Sequence, residues 1–173
     1  AETVAVSLLH AYANPDHERR VAEIISQCLP NMQISISSDI SPEFREFERT
    51  STTVLNALLM PVVGDYLKRL EARLIDNGMT APVYLVQSNG GVATPQMAAS
   101  QPARLLLSGP SGGAKAAETI AHRLDHPNLV AVDMGGTSYD VSLVEGGRVH
   151  QVNQGEVGGC PVRLPMVEMR TIG

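Results

Sequence analysis

The sequence predicts an α/β fold that begins with a βαβ unit and ends in β-hairpins. Apolar residues alternate or run together near residues 4–9, 32–36 and 129–132, as they do in strands. Residues 15–29 and 54–74 carry apolar side chains at helical spacing. Beyond the strand near residue 129, strand-like stretches are separated only by glycine-rich turns, which is typical of hairpins.

The first predicted unit is a strand, a helix and a second strand within residues 4–36. Asn14 is expected to cap the helix, with Pro15 in its first turn, and Pro30 ends it. Residues 32–36 then alternate between apolar and polar side chains. This order predicts a βαβ unit.

A long helix is predicted to follow. Residues 54–74 keep helical spacing, Gly78 is the expected C-terminal stop, and Pro61 must either kink the helix or divide it. Residues 41–43 are expected to start a short separate helix ahead of it. Residues 50–53 are expected to cap the long helix.

Charged and polar residues surround the start of this helix. Residues 45–49 contain two arginines and two glutamates, whose simplest arrangement is a solvated face. Arg49, Thr50 and Asn56 could instead line a site, but capping and packing are the favoured roles.

Two segments rich in small residues come next. Residues 83–87 predict a buried strand, and the loop at 88–91 either faces a ligand cleft, as loops at strand ends do, or is an ordinary turn. Residues 108–124 predict a helix whose small residues, Gly113 among them, allow close approach of a neighbouring backbone. This segment is not a Walker A loop, because the glycine before Lys115 and the hydroxyl residue after it are missing.

The main candidate site is a glycine hairpin. A short apolar strand ends at Asp133, and Gly135, Gly136 and Thr137 lead to Asp140. Backbone N–H groups and a hydroxyl in such a loop can form a concavity that binds phosphate. Asp133 and Asp140 could hold Mg²⁺, because this cation prefers oxygen ligands and bridges to phosphate oxygens. An ordinary hairpin with Asp133 as a turn residue explains the same pattern.

The hairpin resembles a known phosphate-binding motif. Residues 133–142, Asp-Met-Gly-Gly-Thr-Ser-Tyr-Asp-Val-Ser, are similar to the second phosphate motif of the superfamily of actin, sugar kinases and heat-shock ATPases. More closely, they resemble the hydantoinase/oxoprolinase family, which includes 5-oxoprolinase, N-methylhydantoinase and the acetone and acetophenone carboxylases. Further stretches similar to this family occur in the same order at residues 8–18, 45–57, 87–91, 107–113 and 156–159.

The resemblance implies ATP and Mg²⁺ as cofactors. Asp133 and Asp140 are then the catalytic residues and the metal ligands. The residues that bind ATP are then Gly135, Gly136, Thr137 and Ser138. Tyr139 departs from the family motif, which more often has threonine there, so the contribution of a second hydroxyl at this position stays open.

The resemblance also implies a partial actin-like ATPase fold, of the ribonuclease H-like kind. Residues 1–128 would end the first lobe and include the interlobe helix 108–124, and residues 129–173 would start the second lobe. The chain opens on a strand without an initiator methionine, so we expect the central fragment of a longer subunit. A second subunit or domain of the same enzyme is the expected partner.

The activity that the resemblance implies is ATP-dependent opening of a cyclic amide, such as 5-oxoproline or a hydantoin, through phosphorylation of the amide oxygen. The alternatives are an ATP-dependent carboxylase subunit, as in acetone and acetophenone carboxylases, and a non-catalytic module that keeps the fold. The superfamily grips ATP between two glycine hairpins, and these 173 residues contain one Asp-x-Gly-Gly-Thr sequence. We therefore expect the isolated residues to be inactive.

Composition argues against other classes of function. A net charge of -5 disfavours binding to nucleic acids and to anionic membranes, which require clustered Lys and Arg. The longest apolar stretches fall short of the roughly 20 residues of a membrane helix. Cys28 and Cys160 fit neither a disulfide framework nor a zinc site, so a reducing cytoplasm is the expected location.

Overall fold

The computed structural model describes residues 1–172, and the chain begins with the predicted βαβ unit. Strands β1 (Thr3–Val6) and β2 (Gln33–Ile36) pair in parallel and are connected by helix α1 (Asp16–Cys28). Asn14 Oδ1 accepts the backbone N–H of Asp16 at 2.9 Å, which satisfies one of the free donors at the start of α1. The α/β class and the first unit are therefore confirmed.

The segment after β2 differs from the prediction. Helix α2 (Ser37–Ile40) follows β2 directly, and the long helix α3 (Glu46–Asp76) comes next. The predicted short helix at 41–43 is wrong. Ser41 has left the helical conformation, and its hydroxyl donates to the carbonyl oxygen of Arg163 at 2.9 Å, which ties this turn to the C-terminal part of the chain.

Helix α3 begins earlier than its sequence suggests. The predicted cap at residues 50–53 is wrong, because these residues lie inside the helix. The hydroxyls of Thr52 and Thr53 donate to carbonyl oxygens four residues earlier, at 2.7 Å in each case. The helix continues through Pro61 without being divided and ends before Gly78, whose φ of 84° closes it as predicted. Within the described residues, none of the helices combines the length and the apolar character that crossing a membrane requires.

The prediction of a solvated face at 45–49 is wrong for Arg49, which is completely buried. Its guanidinium donates to Ser37 Oγ and to the carbonyl oxygens of Glu43 and Leu8, and it lies 5.5 Å from the ring centroid of Tyr12. The burial is tolerated because each guanidinium nitrogen donates to an acceptor and an aromatic ring lies close to the charge.

The equally buried Glu18 lies on the other side of Ser37. Its carboxylate accepts the Ser37 hydroxyl and the backbone N–H groups of Leu8 and Ser38. Burial alone would raise the pKa of Glu18, but these hydrogen bonds outweigh it and hold the pKa below its ordinary value. Glu18, Ser37 and Arg49 thus form a polar cluster that joins α1, α2 and α3.

The middle of the chain is a short hairpin followed by helices. Strands β3 (Leu85–Val86) and β4 (Val92–Ala93) are antiparallel, so the loop at 88–91 is a hairpin turn. Helix α4 (Pro95–Ser100), a 3-10 helix (Pro102–Leu105) and helix α5 (Ser108–Leu124) come next. The helix predicted at 108–124 is confirmed.

The predicted C-terminal hairpins are also present. Strands β5 (Leu129–Met134) and β6 (Tyr139–Glu145) pair along their length, and β7 (Arg148–Val149) pairs with β6. The single strand predicted at 148–154 is wrong, because the chain leaves this sheet at His150. Strand β8 (Gln151–Val152) pairs instead with β11 (Met166–Val167), and β9 (Gly155–Val157) pairs with β10 (Cys160–Val162). Strand β12 (Met169–Ile172) returns to the other edge of β6.

Helix α5 covers one face of this sheet. Its alanines at 114, 117 and 121 pack against the buried side chains of Val144, Val149 and Val167. The expected contact at Gly113 is wrong, since a Cβ built there would meet no atom within 4 Å. The small residues that allow the close approach are therefore the alanines, while Gly113 faces open space.

Candidate functional site

The two predicted carboxylates occupy paired positions in the β5–β6 hairpin. Asp133 and Asp140 are direct partners in the antiparallel register, so their side chains project from the same face of the sheet. Leu129 and Ala131 share this face of β5 and pack against α5. The carboxylates therefore lie on the side of the sheet that α5 covers, beyond the end of the apolar contact.

The turn between the carboxylates is tight. The backbone N–H of Gly135 donates to the carbonyl oxygen of Ser138 at 3.0 Å. Within the described chain, the backbone N–H groups of Gly136 and Thr137 have no partner, and both residues are exposed. A Cβ on Gly136 would also meet no atom within 4 Å. The turn thus leaves two donors and open space where an anion could approach.

Asp140 is held more firmly than Asp133. Its Oδ1 accepts the hydroxyl of Thr171 at 2.6 Å, and its Oδ2 accepts the hydroxyl of Ser138 at 3.1 Å. Thr171 is the register partner of Asp140 on β12 and Ser138 lies in the turn, so the neighbouring strand and the turn together fix this carboxylate. Asp133 is exposed. One carboxylate is therefore oriented by the fold, while the other is open to a ligand.

A small pocket of about 160 Å³ lies between α5 and the hairpin. Asp133 and Asp140 line it from the sheet, and Pro110 and Gly113 line it from the first turns of α5. At about 30 Å³ per water molecule, this volume can hold a phosphate group or a hydrated ion but not a whole nucleotide. Gly113 leaves the helix side of this pocket open.

A larger pocket of about 550 Å³ also borders Asp140. It shares Pro110, Asp140 and Met169 with the small pocket. Its remaining lining comes from Leu107 before α5, from Ser138 of the turn, from β8, β9, β11 and β12, and from the loop residues Gln154 and Glu168. The two pockets therefore meet at one carboxylate.

A partly buried contact fixes α5 against the sheet. Glu118 on α5 accepts the backbone N–H of Val149 on β7 at 2.9 Å and forms an ion pair with Lys115. Burial would raise the pKa of Glu118, but the hydrogen bonds from Lys115 and Val149 and the charges of Lys115 and His122 hold it below its ordinary value. Glu118 thus stays ionised and holds α5 in the position where its first turns line the small pocket.

The residues at the hairpin fit a magnesium ion that carries phosphate. No group of three or more His, Cys, Asp or Glu side chains in residues 1–172 could hold a metal by itself. Mg²⁺ in phosphate-transfer sites needs fewer protein ligands, because water and phosphate oxygens complete its coordination. Asp133 and Asp140 supply the one or two carboxylates that such a site uses, and the turn supplies donors for the phosphate.

Other sequence candidates lie elsewhere. None of the residues of the 88–91 loop lines the pockets at Asp140, and Gly90 packs under the side chain of Lys115. Asn56 binds Ser35 and the backbone of Ser100 and Ala103, which is the packing role favoured for it. Sequence reasoning missed Thr171, whose alternation with Met169 indicates a strand but not its partner.

The described chain is thus an α/β protein in which two paired carboxylates flank a glycine turn beside a helix-lined pocket. The profile of the hydantoinase/oxoprolinase family matches residues 49–173. The chain therefore belongs to the hydantoinase/oxoprolinase family.

Relatives of this chain are subunits or chains of larger enzymes. Caprolactamase subunit alpha of Pseudomonas jessenii is 34% identical over 172 residues, which cover 99% of this chain and 25% of the relative. The 5-oxoprolinase of Saccharomyces cerevisiae is 31% identical over 172 residues, which cover 99% of this chain and 13% of the relative.

A solved structure shows the same fold. The nucleotide-free structure of acetone carboxylase, described in a study of ATP-dependent acetone carboxylation, is similar with a TM-score of 0.79 and 30% identity. The similarity covers 100% of this chain and 25% of that one. The chain thus spans a quarter or less of the length of these three proteins.

Proposed function

We propose that the protein containing these residues is an ATP-dependent enzyme that opens the ring of a cyclic amide. The observation that carries the proposal is the pairing of Asp133 with Asp140 around a turn that leaves the N–H groups of Gly136 and Thr137 free. Free amides and paired carboxylates are what a phosphate with a bound magnesium ion requires. Family membership and the names of the relatives, 5-oxoprolinase and caprolactamase, support the cyclic amide as substrate.

Each part of the hairpin has a role in this proposal. The turn residues Gly135, Gly136, Thr137 and Ser138 hold the terminal phosphate of ATP. Asp133 and Asp140 would hold Mg²⁺, which when bound would supply positive charge next to the transferred phosphoryl group. The first turns of α5 border the small pocket on the side opposite the hairpin.

The proposed reaction has three steps. The amide oxygen of the ring attacks the terminal phosphorus of ATP, and the bond to ADP breaks. In the second step, water adds to the carbon that bears the phosphorylated oxygen, and the ring C–N bond breaks to give an acyl phosphate and an amine. A second water molecule then hydrolyses the acyl phosphate to a carboxylate and free phosphate. The rate acceleration comes from positioning and charge stabilisation rather than from covalent chemistry by the protein.

We extend the proposal to the architecture of the longer protein. Residues 1–128 would end one lobe of an actin-like ATPase, with α5 as the interlobe helix, and residues 129–173 would start the next lobe. A second glycine hairpin and the adenosine site would then lie outside these residues, in another domain of the same chain. A second subunit is the proposed partner, in line with the name of caprolactamase subunit alpha.

Carboxylation is the second candidate, because the acetone carboxylase structure shares this fold. One experiment separates the candidates. The full-length protein, with any co-expressed partner subunit, is supplied with Mg²⁺ and ATP together with 5-oxoproline, hydantoin, caprolactam, or acetone and labelled bicarbonate. Ring opening coupled to phosphate release supports the proposed hydrolase. Incorporation of label with no ring opening supports a carboxylase, and binding of ATP without either product supports a non-catalytic module.

A further inference from the structure

The larger pocket lies where the acceptor of a phosphoryl group must be. It meets the small pocket at Asp140, Pro110 and Met169. Ser138 of the turn and Asp140 both line the larger pocket. A terminal phosphate held by the turn would therefore lie next to a molecule in this pocket. Transfer between bound groups requires this kind of adjacency, with the reacting atoms about 3 to 3.5 Å apart.

The larger pocket has a mixed lining, with Glu168, Arg170 and Thr171 among its polar residues and an apolar part that suits the methylenes of a small ring. Leu107, Val152, Met166 and Met169 provide apolar surface. The volume of about 550 Å³ lies within the roughly 300 to 1,000 Å³ of small-molecule sites. Methionine and leucine side chains can follow the shape of ring methylenes, so this part of the lining favours a cyclic substrate without specifying its polar group.

Gln154 supplies a matching polar group. Its side chain lines the larger pocket, is exposed, and has no hydrogen-bond partner within residues 1–172. A carboxamide carries both a donor and an acceptor. A lactam holds its carbonyl and its N–H on the same edge of the ring, so Gln154 can pair with both. A ketone such as acetone offers only an acceptor.

Two backbone features shape the pocket wall. Leu107 has a φ of 62° at the start of α5, a left-handed conformation that is uncommon for leucine and that clusters at ligand sites. Gly155 lies against Met166, since a Cβ on Gly155 would be 2.8 Å from Met166 Sδ. The glycine therefore lets the Met166 side chain lie back from the pocket.

We infer that this larger pocket binds the ring of the cyclic amide, with Gln154 paired to the amide group and Met166 limiting ring size. This inference rests on the proposed function and assigns the substrate side of the same site. It makes Gln154 and Met166 specificity-determining residues, while Asp133 and Asp140 belong to the phosphate side.

The test compares two variants with one control in the full-length protein. Gln154→Leu removes the paired hydrogen bonds, and we expect the Kd and the KM for caprolactam to rise about tenfold or more. The Kd for ATP should change less than about twofold, because the phosphate side is untouched. Gln27→Leu on the exposed side of α1 is the matched control. It should leave the Kd and KM for caprolactam and the Kd for ATP unchanged.

The second variant tests whether Met166 limits the size of the bound ring. Gly155→Ala forces the Met166 side chain to move, and we expect the preference for the seven-membered caprolactam over the five-membered 2-pyrrolidinone to fall about fivefold or more. Binding is followed by titration calorimetry, so the readout does not depend on turnover. Unchanged lactam affinity in Gln154→Leu and an unchanged ring preference in Gly155→Ala would overturn the inference, as would a wild-type protein that binds no lactam.

The possible outcomes distinguish the proposed hydrolase activity from the assignment of the larger pocket. Lactam binding that depends on Gln154, in a protein that opens no ring, would contradict the proposed hydrolase and leave the pocket assignment standing. Ring opening that is insensitive to both variants would support the hydrolase and contradict the pocket assignment.

Discussion

Asp133 and Asp140 are register partners across the β5–β6 ladder, and this pairing explains why the hairpin can act as a site. Because side chains alternate between the faces of a strand, a slip of one residue would send one carboxylate to the opposite face. Apolar contacts from Leu129, Ala131 and Val144 to α5 fix the register. Packing of the core therefore sets the relative position of the two carboxylates.

The hydroxyl of Thr171 is expected to support Mg²⁺ binding through Asp140. Thr171→Val removes the hydrogen bond to Asp140 Oδ1 but keeps the shape of the side chain. Loss of such a supporting contact typically weakens metal binding about 10- to 100-fold. The affinity for Mg²⁺ in the presence of ADP, measured by calorimetry, should fall by this amount. Thr119→Val on the exposed side of α5 is the control, and equal affinities in the two variants would contradict the role of Thr171.

Substitutions at two positions of α5 should have different effects, one on stability and the other on ligand binding. Ala117 is buried against the sheet, so Ala117→Leu should destabilise the protein by about 1 to 3 kcal/mol through overpacking. Gly113→Leu points into the small pocket and should leave the melting temperature unchanged or higher, because leucine favours a helix more than glycine.

The measurements for these variants are thermal unfolding and ATP binding. Gly113→Leu should weaken ATP binding at least about tenfold by filling the small pocket. Ala116→Leu on the exposed side of the helix is the control for both positions. A large loss of stability in Gly113→Leu would show that this glycine is a packing residue after all.

The buried cluster around Glu18 should contribute strongly to stability. Glu18→Ala leaves the backbone N–H groups of Leu8 and Ser38 without their acceptor. An unsatisfied buried donor costs about 1 to 3 kcal/mol, so we expect a loss of roughly 2 to 5 kcal/mol in chemical denaturation. Glu23→Ala, in an exposed pair with Arg20 on the same helix, should change stability by less than about 0.5 kcal/mol. Similar losses in both variants would rule out a special role for the cluster.

The same carboxylate predicts a dependence on pH. The pKa of Glu18 is lower in the folded chain than the roughly 4.3 of an unfolded glutamate. Its ionised form therefore stabilises the fold in full above that value, and this contribution is lost as the pH falls through the folded pKa. The stability difference between wild type and Glu18→Gln should thus shrink on acidification from pH 6 to about pH 3. A difference that stays constant or grows would contradict the lowered pKa.

The sequence predicted the elements whose signals are local. The βαβ unit, helix α5 and the β5–β6 hairpin follow from periodicity, proline and glycine positions, which act within a few residues. The start of α3 was misplaced because Thr52 and Thr53 have the residue type of a cap but donate their hydroxyls within the helix. Residue type alone does not distinguish a threonine that caps a helix from one whose hydroxyl donates to a carbonyl within the helix.

Contacts between residues that are far apart in the sequence could not be predicted from it. An arginine in a charged segment is expected at the surface, but Arg49 is buried because the fold brings acceptors from Leu8 and Ser37 to its guanidinium. Thr171 reaches Asp140 only because β12 returns to the edge of β6. The paired carboxylates and the turn were identified from spacing and resemblance, whereas both pockets depend on where α5 begins.

Replacement of Asp133 by asparagine tests the central claim most directly. The measurement is steady-state ATP turnover of the full-length protein with its substrate, for Asp133→Asn and for Asp76→Asn, an exposed aspartate at the end of α3. Asp133→Asn should keep the melting temperature of wild type but lose at least about 100-fold in turnover, the scale of losing one preorganised charge contact. Turnover near that of wild type in a folded Asp133→Asn protein would contradict the phosphate and magnesium site at this hairpin.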